Sequence, residues 1–392
     1  MATSEWVLIL MPIIWLCVET LMGRQNFLRK IALKWLLLLV ASLIFSYFWV
    51  SRLSDMLGGR WTWGEVIYYA WLLSAFFSVL QIFKIVLDGV LKKFIRWPTH
   101  EVSRRIIQKV IYYVILFVSA IPFFLAMTSI HRVKIGDGHT PKTAWGFEYE
   151  DVSLKTSDGL HIKGWFVPAA SDKAVIIAHG LSANKSNFLG TVEMWHELGL
   201  NVLIFDFRGH GMSEGHTVTF GYEERRDIMA AAEYLLKEKK FTSDKIIGYG
   251  VSFGGAAMIQ AAKEMPIFHK LIIDSSFANL GDMADMIVDG EVIIPSFCRK
   301  AFKEIGLFFV RLDLGFDIRE KSPENAIGGI AGTPILLIHG KGDPMINWRQ
   351  TERLFERAKD PKQVVFLETQ GHFGTPNDPA YRDIIRTFIE NK

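Results

Sequence analysis

Cysteine is nearly absent: Cys17 and Cys298 are the only two in 392 residues. They stand far apart, in regions of different texture, so neither a disulfide framework nor a cysteine-rich metal site is expected. Charge of one sign is not in excess either. Forty-four Lys and Arg face 41 Asp and Glu, a net charge of +3, without the concentrated basic surplus of a nucleic-acid binder, so no nucleic-acid partner is expected. Charged residues make up only 22% of the chain and hydrophobic ones 50%. That balance excludes a disordered chain and is too apolar for an ordinary soluble protein.

The apolar residues are concentrated at the start. Residues 6–22, 31–50, 66–83 and 110–128 are nearly uncharged runs, each about as long as the roughly 20 residues a helix needs to cross a bilayer. Buried helices of a soluble domain would keep a polar stripe, and these runs have none. Eight of the twelve Trp fall within the first 97 residues, often near the ends of the runs, as in the aromatic belts of spanning helices. The leader MATSE carries no positive charge, which speaks for an uncleaved first helix rather than a signal peptide. Loops 23–34 and 84–109 together hold eleven Lys and Arg, against Arg52 and Arg60 in loop 51–65. The basic loops are therefore expected on the cytoplasmic side, with both termini and everything after residue 128 extracytoplasmic. Arg132, Lys134 and Lys142 weigh the other way. The expected organisation is an all-α four-helix transmembrane region over 1–128, a linker over 129–146 and a second domain over 147–392.

From about residue 145 short β-branched runs alternate with helix-length segments: KAVIIAHG, NVLIFDFRG, KIIGYGVS, KLIIDSS, TPILLIHG and QVVFLETQGH. This is the pattern of an α/β domain, a mostly parallel sheet with helices on both faces. Ahead of it, Ser157-Asp158-Gly159 sits between two alternating stretches and predicts a hairpin. Residues 223–238 and 379–391 read as helices, the latter with Tyr381, Ile384, Ile385 and Phe388 on one face.

The chemistry is carried by Gly250-Val251-Ser252-Phe253-Gly254, directly after one strand run and directly before a helical one. A serine on a sharp strand-to-helix turn needs small residues two before and two after it, and the turn lifts its hydroxyl clear of the sheet. The glycine spacing does not fit a dinucleotide fingerprint. A serine hydroxyl needs a base, and the base a carboxylate. Two later strand ends supply them: Asp343 in His339-Gly340-Lys341-Gly342-Asp343, and His372 in Gln370-Gly371-His372. Loops beyond the carboxyl ends of parallel strands open on one edge of the sheet, so Ser252, Asp343 and His372 are expected to meet there. Asp274, at the end of the strand after the serine, is an alternative orienting acid. His179-Gly180-Leu181 ends another strand where a glycine lets amides turn toward the site. The backbone N–H groups of Leu181 and Phe253 are the candidate oxyanion donors, with His179 bracing the loop. No metal-ligand spacing is present, and no metal or cofactor is expected.

Taken together, DGLHIKGWFVP, the HG at 179–180, FDFRGHGMSEG at 205–215, GYGVSFGG at 248–255, SPENAI at 322–327, HGKGD at 339–343 and the GH at 371–372 resemble the α/β-hydrolase superfamily, in its serine-aminopeptidase-like branch. The resemblance covers about 147–391. It implies Ser252 as nucleophile, His372 as general base and Asp343 as its partner, with Phe253 and Leu181 giving the oxyanion amides. Asp206 and Arg208 match a structural turn near the site. The N-terminal membrane region departs from the family pattern.

Between KLIIDSSFA and PILLI lie about 50 residues, 280–330, where such hydrolases insert a helical cap. Its apolar residues suit either an acyl chain or the cap's own core. Asp282, Asp285 and Asp289 share a helical face, either solvated or placed to hold a substrate amine. The leading expectation is a membrane-anchored serine hydrolase acting on an ester or amide of an acylated, lipid-like substrate, in contact with membrane lipids. A peptidase and a non-catalytic transport or signalling protein with a hydrolase-like binding domain are the alternatives.

Overall fold

The computed structural model describes residues 101–132, 134–291 and 296–391, together with 36, 37, 39–48, 51, 63, 66, 67, 70 and 74. The chain divides into two units, Met1–Val118 and Ser119–Lys392. In the first, the expected span at 6–22 lies wholly and that at 66–83 largely outside the described residues, while of 31–50 residues 36, 37 and 39–48 are described and helical. The fourth, 110–128, falls within the helix Glu101–Ile130, several of whose side chains are also outside them. Among the described residues no helix is long and apolar enough to cross a membrane. Along that helix Ile106, Val110, Val114 and Val118 form an exposed stripe at four-residue spacing.

The second unit is built on eight strands: β1 (Glu150–Lys155), β2 (His161–Val167), β3 (Ala174–Ala178), β4 (Asn201–Phe205), β5 (Ile246–Val251), β6 (Lys270–Asp274), β7 (Ile335–Gly342) and β8 (Lys362–Gln370). They form one sheet in the order β1-β2-β4-β3-β5-β6-β7-β8. β1 and β2 are the expected hairpin, antiparallel with Asp151 opposite Trp165. The turn closes where Gly159, at φ +91°, donates its N–H to the Thr156 carbonyl at 3.0 Å. β2 runs antiparallel to β4, and every later pairing is parallel. This is the α/β-hydrolase fold with a mostly parallel sheet.

β3, β4, β5 and β6 are buried along their whole lengths because helices cover both faces. Successive side chains of a strand point to opposite faces. Ile176, Leu203 and Leu271 therefore join one apolar cluster with Ile228 and Ala257 of the helices Arg225–Lys237 and Phe253–Glu264. Val175, Ile204 and Ile272 join the other, with Trp195 and Ile385 of the helices Leu189–Glu197 and Tyr381–Glu390. On the last helix Tyr381, Ile385, Phe388 and Ile389 are buried, and Ile384 only partly.

The stretch between β6 and β7 carries two helices, Leu280–Glu291 and Ser296–Leu314, followed by three short 3-10 turns. Three of the apolar residues of this segment, Val292, Ile293 and Ile294, lie outside the described residues. Residues 129–146 are tied to the α/β body. Asn184 donates its side-chain amide to the Ile135 carbonyl at 2.9 Å, and Lys185 Nζ meets Asp137 at 2.7 Å.

Candidate active site

Ser252 sits between β5 and the helix Phe253–Glu264 at φ 55°, ψ −119°, a conformation non-glycine residues rarely adopt and which costs on the order of 1–3 kcal/mol. Its neighbours show why the turn needs glycine on either side. A Cβ on Gly250 would lie 2.5 Å from the Gly254 carbonyl oxygen, and one on Gly254 would lie 2.1 Å from that of Ala178. The strained turn is held by the Ser252 N–H donating to the Asp274 carbonyl at 2.8 Å.

The loops after β7 and β8 bring the other two residues to the same sheet edge. His372 Nε2 lies 2.8 Å from Ser252 Oγ, and His372 Nδ1 lies 2.7 Å from Asp343 Oδ2. Facing a carboxylate, Nδ1 carries the hydrogen, which leaves Nε2 to accept from the serine hydroxyl. All three side chains are almost fully buried. Burial alone would raise the Asp343 pKa, but hydrogen bonds from His339, His372 and the Ile346 N–H outweigh it. They hold this carboxyl well below the usual range, so it stays ionised. Its other oxygen, Oδ1, accepts from the Met345 and Ile346 N–H groups at 2.8 and 3.0 Å.

Asp274 does not reach the imidazole. Its Oδ2 accepts from Tyr381 at 2.6 Å and Thr375 at 2.7 Å, and Oδ1 from Ser275 at 2.9 Å. Burial raises its pKa. Its side chain supports the His372 loop from below while its carbonyl holds the serine turn.

Around the serine, the Phe253 amide opens the helix and the Leu181 amide follows Gly180. Among the described residues neither donates to a protein acceptor. A Cβ on Gly180 would lie 3.8 Å from that of Ser252 and 3.2 Å from the Phe373 ring, so this loop passes close over the serine. His179 is fully buried and kept neutral by that burial. Its Nε2 accepts from the Phe207 N–H at 3.1 Å and its Nδ1 donates to the Gly180 carbonyl at 2.8 Å. That bracing leaves it no part in proton transfer.

The FDFRGHG turn is locked by charge. Asp206 accepts from the Lys185 N–H and Nζ, both at 2.7 Å, and from the Met212 N–H at 2.9 Å. Arg208 pairs with Asp227 and Asp158, each at 2.7 Å. The roles of Lys185, Asp158 and Asp227 had no signal in spacing, because each lies in a different segment from its partner.

The aspartate row of the first cap helix is paired rather than open. Asp282 binds Gln350 at 2.8 Å and also Arg353, Asp285 binds Lys303 at 2.5 Å, and Asp289 binds Arg299 at 2.8 Å.

Residues 169–327 match the family model described as serine aminopeptidase, S33. YqkD of Bacillus subtilis (strain 168) is 33% identical over 245 residues, spanning 61% of this chain and 78% of that protein. The chain belongs to this family of α/β-hydrolases. YfhR of Escherichia coli (strain K12) is 28% identical over 251 residues, 61% of this chain and 80% of its own length. Among solved structures, the Pyrococcus furiosus esterase Pf2001 superposes with a TM-score of 0.56 at 24% identity, covering 67% of this chain and 97% of that one. The likeness to the Pyrococcus structure is one of fold.

Proposed function

We propose that this family member is a membrane-anchored serine hydrolase that cleaves an ester of an acylated substrate through an acyl-enzyme on Ser252. One observation carries the reading: the continuous hydrogen-bonded chain from Ser252 Oγ through His372 to Asp343, on a serine held in a strained turn. His372 takes the hydroxyl proton as Ser252 attacks the carbonyl, and Asp343 stabilises the imidazolium that forms. The oxyanion is received by the Leu181 and Phe253 amides, each such donor being worth about 2.7–4 kcal/mol in general. His372 then protonates the leaving alcohol and later activates the water that releases the acid.

The membrane reading is supported by the uncharged runs of the first 128 residues and by the exposed Ile106, Val110, Val114 and Val118 stripe. The excess of Lys and Arg in loops 23–34 and 84–109 supports an extracytoplasmic hydrolase unit. Peptidase activity is favoured by the family description, but Asp282, Asp285 and Asp289 of the cap, which could have held a substrate amine, are engaged by Arg353, Lys303 and Arg299.

The test is fluorophosphonate labelling of the membrane-embedded chain. Wild-type protein takes the label, Ser252→Ala does not, and His372→Ala takes it far more slowly. An unlabelled, folded wild type overturns the proposal. Faster turnover of aminoacyl amides than of acyl esters would move the peptidase to the front.

A further inference from the structure

Residues 131–138, ahead of the first strand, form a strap that follows the loop carrying the Leu181 amide. Arg132 donates to Ser182 Oγ at 2.5 Å. Asn184 donates its side-chain amide to the Ile135 and Gly136 carbonyls at 2.9 and 3.1 Å. Lys185 Nζ donates to both oxygens of Asp137 at 2.7 Å. Ser186 Oγ donates to Asp137 at 3.2 Å and accepts from the Gly138 N–H at 3.2 Å. The partners ascend together along the two segments, so the strap runs beside the loop and is tied to it at successive positions.

The loop needs such a hold. Between Ala178 and the 3-10 turn Lys185–Phe188 it is neither strand nor helix. Ser182, directly after Leu181, stands at φ 63°, a region that non-glycine residues seldom enter. Upstream of Leu181 the loop is braced by His179 on the Phe207 N–H. Downstream it is held by the strap and by Asp206, which takes Lys185 Nζ at 2.7 Å. Lys185 is buried, and a buried ammonium depends on its carboxylates staying in place. The strap has anchors of its own. His131 Nε2 binds Asp313 of the second cap helix at 3.0 Å, and Lys134 Nζ donates to the Ser213 carbonyl at 2.7 Å.

We infer that this strap positions the oxyanion loop: Arg132 through Ser182, and Asp137 through Lys185, hold the Leu181 amide where the oxyanion forms. Both are positioning residues and touch no reacting atom. Their role rests on the serine-hydrolase reading. It also makes the stretch of chain that joins the N-terminal region to the hydrolase fold a part of the catalytic apparatus.

The test uses the full chain in lipid nanodiscs with p-nitrophenyl butyrate. Arg132→Ala should lower kcat about tenfold and Asp137→Ala up to about a hundredfold, the order expected for a misplacement of about 1 Å. KM should stay near the wild-type value, as for a group acting only in the transition state. The pH–rate profile should keep its shape, because His372 and Asp343 are untouched. Phenyl trifluoromethyl ketone gives a second readout. Ser252 Oγ adds to its carbonyl carbon, the hydroxyl proton passes to His372, and the carbonyl oxygen becomes the oxyanion. Its affinity should weaken by the same factor as kcat. Ser182→Ala should match Arg132→Ala, the double variant should be no worse than either, and Arg132→Lys should recover much of the rate. These exposed changes should leave the melting temperature near that of wild type, so they decide the matter even if Asp137→Ala folds poorly.

Unchanged kcat and unchanged ketone affinity in folded variants overturn the positioning role, and a wild type that still takes fluorophosphonate leaves the hydrolase reading standing. A loss seen in KM, or a displaced pH profile, overturns it too, by assigning these residues to substrate binding or to the triad. A wild type that takes no fluorophosphonate overturns the hydrolase reading and the positioning role with it.

Discussion

His339 Nε2 lies 3.3 Å from Asp343 Oδ2, the oxygen that also receives Nδ1–H from His372. The His339 ring is oriented by its other contacts: Nε2 donates to the Ile346 carbonyl at 2.9 Å and Nδ1 accepts from Thr351 at 2.6 Å. Its hydrogen bond helps to keep Asp343 ionised and facing His372. His339→Phe should reduce kcat/KM by about tenfold or more, the order of one lost hydrogen bond to a charged group, roughly 1.5–3 kcal/mol. The acid limb of its pH–rate profile should move as well. Thr351→Val should give a smaller effect in the same direction, and an unaltered profile in His339→Phe would refute the assignment.

The sheet, the serine turn and the histidine and aspartate loops were legible because each depends on local chemistry. The two glycines beside Ser252 are demanded by contacts within the turn itself, and Asp343 and His372 each follow directly on an apolar strand. His339 was less legible: in the sequence HGKGD it reads as a turn residue, and only the backbone path of the loop brings it back to Asp343. The Arg208 cluster was invisible for a related reason, since Asp158 and Asp227 come from a hairpin and a helix that meet only in the folded domain. Asp274 stood open as an orienting acid, because strand ends alone do not say which carboxylate the imidazole reaches. Its three hydroxyl partners settle where that carboxyl points.

The strained turn predicts a conflict between stability and function. Ser252 at φ 55° pays a backbone cost that alanine shares and glycine escapes. Ser252→Gly should therefore be more stable than Ser252→Ala by about 1 kcal/mol, a rise of roughly 2–4 °C in Tm for a domain of this size. Both should be inactive. Equal melting temperatures for the two would mean the turn stores no strain.

The flanking glycines allow no such latitude. Gly254→Ala places a methyl 2.1 Å from the Ala178 carbonyl oxygen, against backbone that cannot step aside without disturbing β3. The expected outcome is loss of more than about 3 kcal/mol, at the upper end for overpacking, together with loss of fluorophosphonate labelling. Gly190→Ala, where no atom lies within 4 Å of the added carbon, is the control and should melt close to wild type.

Arg208 bridges a fully buried Asp227 and a partly exposed Asp158. Removing the guanidinium leaves Asp227 in the interior with the backbone N–H at position 208 still donating to it, and burial already pushes its carboxyl up to about 7. Arg208→Met should therefore cost about 3–5 kcal/mol, and adding Asp227→Asn should restore part of it by removing the stranded carboxyl. If the double variant were no more stable than Arg208→Met alone, Asp227 would not be the residue the arginine neutralises.

The same cluster sets a pH dependence. Burial would raise the Asp158 pKa, but hydrogen bonds from Arg208, Thr156 and Arg226 outweigh it and hold the carboxyl well below its ordinary value. A carboxyl whose folded pKa lies below its unfolded one stabilises the fold above the unfolded pKa, and that contribution fades as pH falls toward the folded one. Wild-type protein should thus lose an increment of Tm between about pH 5 and pH 2 that Asp158→Asn lacks. At neutral pH the variant should be the less stable of the two, and the difference should narrow steadily on acidification. A gap that stayed constant with pH would assign the contribution of Asp158 to its packing and hydrogen-bond geometry rather than to its charge.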